Sequence, residues 1–206
     1  MVKSAQGSAP AQQGSEAPVE SVRERILRTA RDLFYRDGIR AVGVDTVVSQ
    51  SGVAKTSLYR WFPSKDALIA AVLEEEARYR WERWDKNAAL SDPEPRALLR
   101  SQLAGIARFV AHKLYRGCPF MNVTAEFADP QHPARVVATE VCDELRRRVG
   151  SLVRGIPGIR DPDVLTDQLV LLIDGTFSAA HMQGGEGPQR QLLSAADALI
   201  DAQLRS

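Results

Sequence analysis

Helix punctuation recurs along the whole chain, and strand patterning almost never does. Ser21 and Glu24 form an S-x-x-E capping box. Behind it Val22, Ile26, Ala30, Leu33 and Phe34 recur at helical spacing. Gly38 is placed to stop this helix as its left-handed residue. Val44 to Gln50 predict a short second helix, although Val44, Val47 and Val48 alone would also suit a strand. Ser51-Gly52-Val53 reads as a turn, and Ala54 to Trp61 as a third helix. Phe62-Pro63 breaks it, because a residue before proline avoids the α region. Ser64 caps a longer helix with Asp66 in its first turn, expected to run to about Asp85. Further helices are expected from Pro95 to about Leu114, after Gly117-Cys118-Pro119 through Phe127, and from Pro133 to Arg154. Asp161-Pro162 opens a very apolar one, and the Gly184-Gly185-Glu186-Gly187 loop precedes a last one from Gln189 to Leu204. Such a chain folds as an all-α protein.

Composition narrows the function. The chain has 206 residues, 44% hydrophobic and 26% charged, which suits one large domain or two small ones. No run approaches about eighteen consecutive apolar residues, so no membrane partner is expected. The first twenty residues lack an apolar signal region and are rich in Ser, Ala, Gln, Gly and Pro, so 1–20 is expected to be a disordered tail. Cys118 and Cys142 match no zinc or CxxC spacing, and a reducing cytoplasm is the simplest home. The net charge of +1 hides an asymmetry: residues 21–66 carry nine Lys/Arg against five acids, and residues 67–206 seventeen against nineteen. An anionic partner therefore fits the first part only.

The stretch SGVAKTSLYRWFPSKDALIAAVL, Ser51 to Leu73, places that charge. Two short helices joined by a glycine-containing turn make a helix-turn-helix. Val47, Val53 and Leu58 would pack the pair onto the first helix, with Phe62 also in the core. Ala54 to Ser57 begin the second helix, the end that reaches base edges in a major groove. Lys55 can reach a base acceptor or a phosphate, and Thr56 and Ser57 are short donors that do not block a groove. Tyr59 and Arg60 are expected at the DNA backbone, and Trp61 at the interface. Lys65, at the next helix N-terminus, is expected to hold a phosphate. Thr46 on the preceding helix joins this set.

The run VDTVVSQSGVAKTSLYRWFPSKDALI resembles the DNA-binding signature of the tetracycline-repressor (TetR) family of bacterial regulators. Leu58-Tyr59-Arg60-Trp61-Phe62 and Ser64-Lys65-Asp66-Ala67-Leu68 carry the likeness, which covers about Arg23 to Leu73. RGCPFMNVTAEFADPQHPAR and LLIDGTFSAA resemble one subgroup less specifically. Gly43 and Ala54 stand where the family often has Thr and Ser, and Trp61 where it often has His. Ala54 has no side chain to cap a helix. The resemblance implies a homodimer with three N-terminal helices on a double-stranded DNA operator, a larger C-terminal domain with a small-molecule pocket, and a four-helix dimer bundle. Its domains would be 21–66 for DNA binding and 67–206 for effector binding and dimerisation. The function so implied is that of a ligand-responsive transcriptional regulator, a repressor on a palindromic operator, released by an effector of unknown identity. The alternative is an all-helical small-molecule-binding protein or enzyme with a vestigial helix-turn-helix.

Nothing favours catalysis. There is no Ser-His-Asp or paired-carboxylate constellation, and His112, His132 and His181 share no metal-ligand spacing, so neither metal nor cofactor is expected. Arg146-Arg147-Arg148 reads as a solvated helix face, and Cys118 as a small buried residue. For an effector pocket, apolar walls with few polar groups are needed. The candidates are Trp81, Trp84, Phe109, Phe120, Asn122, Glu126, Asp174, Phe177 and His181. Leu165, Leu169, Leu172, Ile173 and Phe177, with Leu192, Leu193, Ala196, Leu199 and Ile200, are expected to form the dimer bundle.

Overall fold

A computed structural model describes residues 20–184 and 187–204. The tail expected over 1–20 lies, apart from Glu20, outside the described residues, as do residues 185 and 186 of the glycine-rich loop. Glu20 itself belongs with the folded body. Its carboxylate accepts a 2.8 Å hydrogen bond from Arg28 Nε and lies 3.7 Å from Arg25.

Three short helices come first: α1 (Val22–Asp37), α2 (Val44–Ser51) and α3 (Lys55–Trp61). The capping box forms as expected, Ser21 Oγ accepting from Glu24 N and Glu24 returning its carboxylate to Ser21 N. Gly38 does end α1, but at φ 89°, ψ 146°, which is a positive-φ extended conformation and not the left-handed helical one. The difference lets the chain leave α1 straight towards Ile39, which is buried. Neither α2 nor α3 has a side-chain cap, because Gly43 and Ala54 stand at those positions.

The long helix α4 (Lys65–Ala89) begins at the Ser64 cap, whose Oγ accepts from Ala67 N. It extends one turn beyond the expected end and crosses the expected 66/67 domain boundary without interruption. Its first half is core, with Leu68, Ile69, Val72 and Leu73 buried. The rest of the chain is α5 (Pro95–Val110), α6 (Pro119–Glu126), α7 (Pro133–Gly155), α8 (Pro162–Gln183), a 3-10 turn over Pro188–Gln191, and α9 (Leu192–Gln203). Proline at the start of α5, α6, α7 and α8 fits the preference for proline where the N–H has no helical partner. α7 is the centre of the body and packs against α4, α5, α6 and α8. Among the described residues there is no strand; an isolated antiparallel bridge joins Ile159 to Leu204.

The structure corrects two expectations. α5 stops at Val110, a turn before Leu114, because the segment that follows is tied elsewhere: Tyr115 Oη donates to Phe177 O at 3.0 Å. The apolar residues expected to face a second copy mostly face inwards. Leu165, Leu169, Ile173, Phe177, Leu192, Ala196 and Ile200 are all buried within this one chain, packed into the common core. What α8 leaves outside is a different stripe, with Val164 44%, Leu171 72% and Met182 75% exposed. The three arginines Arg146 to Arg148 behave as a helix surface, each paired with a carboxylate, of Asp167, Glu144, or both Asp85 and Glu144.

Candidate nucleic-acid interface and effector cleft

The helix-turn-helix head is built on a small number of buried side chains. Val47 of α2 and Leu58 of α3 are 0% exposed and sit with Ile26, Leu33 and Phe62 in the core. Gly52 makes the turn between the two helices at φ 66°, ψ 21°, the left-handed region a Cβ disfavours. With Leu58 facing in, the helix period turns its neighbours out. Tyr59 is 43% and Trp61 52% exposed, large aromatic area left in water beside exposed Arg60, Lys55 and Thr56. Ser57 is half-buried, and Thr46 is exposed on α2. Thr46, Lys55, Thr56, Tyr59, Arg60 and Trp61 therefore all reach the surface.

Two of the expected phosphate holders have partners inside the head. The Lys55 ammonium lies 2.6 Å from the Asp45 carboxylate, and that hydrogen bond holds the Lys55 pKa above its ordinary value. Lys65 is half-buried and donates from Nζ to Ile39 O at 2.7 Å. Its first task in this conformation is to tie the start of α4 to the loop between α1 and α2.

That loop is a crossing point. Ile39 N and Arg40 N both donate to the Glu126 carboxylate, at 3.4 and 3.1 Å, and the Arg40 guanidinium donates to Glu126 O at 2.5 Å. Arg40 also lies over the Phe127 ring, which stacks on His132 at 4.0 Å between centroids. A second tie starts from Tyr35 of α1, whose hydroxyl donates to Gly117 O at 3.2 Å and accepts from Arg116 N at 2.8 Å. Burial pushes the Tyr35 phenol pKa up. Gly117 has φ 96°, and a Cβ there would meet Asn122 Oδ1 at 3.0 Å, so the segment needs glycine on both counts. The head is thus bonded through side chains to α6 and to the chain before it.

Behind these ties a cleft of about 1410 Å³ opens between α1, α4, α5, α6, α7 and α8. Of the nine pocket candidates, Trp81, Trp84, Phe109, Phe120, Asn122, Glu126, Phe177 and His181 line it. Asp174 does not. It lies one turn before Phe177 on α8, and the cleft reaches α8 only at Phe177 and His181. Burial pushes the Asp174 carboxyl pKa up. Glu126 lines the cleft, but its carboxylate is used by the backbone of Ile39 and Arg40, so it is a strut and not a free acceptor. Asn122 Nδ2 donates to Arg116 O at 3.3 Å.

The chemistry missed in the sequence is cationic. Arg80 lies between two cleft rings, 4.7 Å from the Phe120 centroid and 5.4 Å from that of Phe177. Arg83 lies 4.9 Å over Phe109. The alternation of basic and aromatic residues in RYRWERW, Arg78 to Trp84, was the available signal. Only the aromatics stood out from it, because an arginine on a helix is ordinarily a solvated residue.

Comparison with known proteins converges on one family. The family model for bacterial regulatory proteins of the tetR family matches residues 26–72. The structure of SCO4454, a TetR-family transcriptional regulator from Streptomyces coelicolor, is 28% identical with a TM-score of 0.83, over 88% of this chain and 95% of that one. That of sav143, a TetR-type regulator from Streptomyces avermitilis, is 30% identical with a TM-score of 0.76, over 90% of this chain and 100% of that one. Among curated relatives, the transcriptional activator FasR of Mycolicibacterium smegmatis is 29% identical over 132 residues, which is 64% of this chain and 59% of FasR.

Proposed function

We propose, from the premise that the chain belongs to the TetR family of DNA-binding transcription regulators, that it is a homodimeric repressor released from a palindromic operator by a small-molecule effector. The observation that carries this reading is the face of α3. With Leu58 fully buried, α3 leaves Thr56, Tyr59 and Arg60 in water away from it and Lys55 and Trp61 exposed at its flanks. Aromatic and basic side chains next to short hydroxyls suit a phosphate-flanked groove better than bulk solvent.

In this reading residues 21–66 form the reading head and 67–206 the effector and dimer body. α3 enters the major groove. Lys55, Thr56, Ser57 and Thr46 meet base edges and sugars, and Tyr59, Arg60 and Trp61 meet the DNA backbone. Lys55 exchanges Asp45 for an acceptor on the DNA, and Lys65 adds a phosphate contact only through donors left after Ile39. The exposed stripe of Val164, Leu171 and Met182 supports dimerisation through α8. An effector in the cleft would act on the head through Glu126 and Tyr35, whose bonds span the two.

A gel shift with DNA from upstream of the chain's own gene tests the reading. Replacing Tyr59 and Arg60 together by Ala should weaken binding at every sequence. It should also lower the salt slope by roughly one unit for each phosphate no longer neutralised. Full affinity in the double variant at moderate salt would remove α3 from the interface. A second reading is that the bound protein activates transcription. The likeness to FasR, itself an activator, favours it. A reporter driven by the operator separates the two by the sign of its response to deletion of the protein.

A further inference from the structure

The cleft holds more positive charge than its own carboxylates neutralise, and the excess is set on aromatic rings. Its acids are already engaged. Asp37 pairs with Arg36 at 2.7 Å, Asp32 with Arg31 at 3.2 Å, and Glu126 with the backbone of Ile39 and Arg40. Glu76 is 3.7 Å from Arg31. Its carboxyl also interacts with Arg80 and Arg83, so one cleft carboxylate faces three guanidiniums, with Asp174, outside the cleft, as a further counter-charge to Arg80. Among the described residues no carboxylate lies within 4.0 Å of Arg80, Arg83, Lys86, Arg108, Lys113 or Arg116, all of which line the cleft.

Arg80 is the most confined of these. Its guanidinium is held between Phe120 and Phe177, and Nη2 donates to the buried Cys118 thiol at 3.4 Å. A guanidinium has five donors and does not lose its proton in a protein. Ring faces attract it, but a thiol and two rings leave most of its donors open towards the cleft. A fixed, planar, half-buried cation with free donors is a receptor for an anion, which it can grip by two parallel hydrogen bonds. The surrounding wall of Trp81, Phe109, Tyr115, Phe120 and Phe177 is apolar.

We propose that the effector is an amphipathic organic anion. Its carboxylate, sulfonate or phosphate is bound by Arg80, and its apolar body lies along the aromatic wall. This rests on the reading that the cleft is the effector site, and it names the chemical class that site takes.

A matched pair of fluorescent probes tests it on the full chain: 1-anilinonaphthalene-8-sulfonate, and the neutral N-phenyl-1-naphthylamine with the same rings. The wild-type protein should bind the sulfonate about tenfold or more tightly than the neutral probe, as expected for a charge-assisted bidentate grip. Arg80→Met should abolish that preference and leave the affinity for the neutral probe within about twofold, because it removes the charge and keeps an apolar stem. Arg80→Lys, which keeps the charge but not the fork, should fall between them. It serves as the test if Arg80→Met fails a circular-dichroism check of folding. Equal affinity for the two probes in the wild type, or a preference untouched by either substitution, overturns the proposal and leaves the cleft as an effector site of another chemistry. Binding of neither probe overturns the cleft reading itself, and this proposal with it.

Discussion

Lys55 on α3 and Arg80 on α4 are both basic side chains proposed to meet an anionic partner, and their surroundings are opposite. The Lys55 side chain is 54% exposed, and its ammonium rests 2.6 Å from a carboxylate that is more exposed still. Arg80 is half-buried against two phenyl rings, with a thiol as its hydrogen-bond partner. An ion pair in water contributes little and is screened by salt, so Asp45 can hold Lys55 ready and yield it to a stronger anion. A half-buried guanidinium is screened less, and a counter-charge brought to it counts for more. The first arrangement suits a partner met many times along a polyanion. The second suits one small molecule retained in a fixed pose.

Three substitutions probe how separate these two sites are. The largest effect is expected for Leu58→Ala. Leu58 is 0% exposed, and its truncation should cost about 2–5 kcal/mol of stability by urea titration. Operator binding should be lost, while probe binding in the cleft persists and hydrogen exchange stays slow in α7 and α8. Loss of both sites together would mean that the head and the cleft are one cooperative unit.

Glu126→Gln addresses the link between them. It keeps the side chain's size but removes the charge and turns one of the two oxygens that accept from Ile39 N and Arg40 N into an NH2 donor, so one of those two bonds is lost. Affinities of each site alone should change little. The factor by which a cleft ligand lowers operator affinity should fall by about fivefold or more, the size of an ordinary coupling energy. Unchanged coupling would leave the Tyr35 tie to Arg116 and Gly117 as the route.

The smallest effect is expected for Asp45→Asn. It frees Lys55 from its carboxylate and removes the cause of its raised pKa. The melting temperature should scarcely move, and operator affinity should rise a few-fold, most visibly at low salt. A fall in affinity would assign Asp45 a direct part in placing Lys55 on the DNA.

How legible each site was follows from how it is assembled. The surface of α3 comes from one short stretch. Thr46, Thr56, Tyr59 and Arg60 turn outwards because Val47 and Leu58 turn in, and helical periodicity carries that information; Lys55 and Trp61 are exposed at the flanks of Leu58. The cleft draws on six helices. Eight of its residues were legible as aromatic or polar interruptions in apolar helices, but Asp174 misses it by a turn, and Glu126 turns its carboxylate to the head. Seven of the ten α8 and α9 residues expected at a dimer seam lie instead in the core of one chain, and Leu172, Leu193 and Leu199 are partly buried against it. An apolar stripe looks the same whether its cover is the next helix or a second copy.

The amino-acid sequence by itself determined the all-helical class, the turn at Gly52, the capped starts at Ser21 and Ser64, and the outward face of α3. Each depends on neighbours within a few residues. Tertiary structure alone decided that Lys65 and Glu126 meet the loop after α1, that Leu171 and not Leu169 faces outwards, and that Arg80 stands between Phe120 and Phe177. Those contacts join residues far apart in the chain, and only packing brings them within the few ångströms over which hydrogen bonds and ring contacts act.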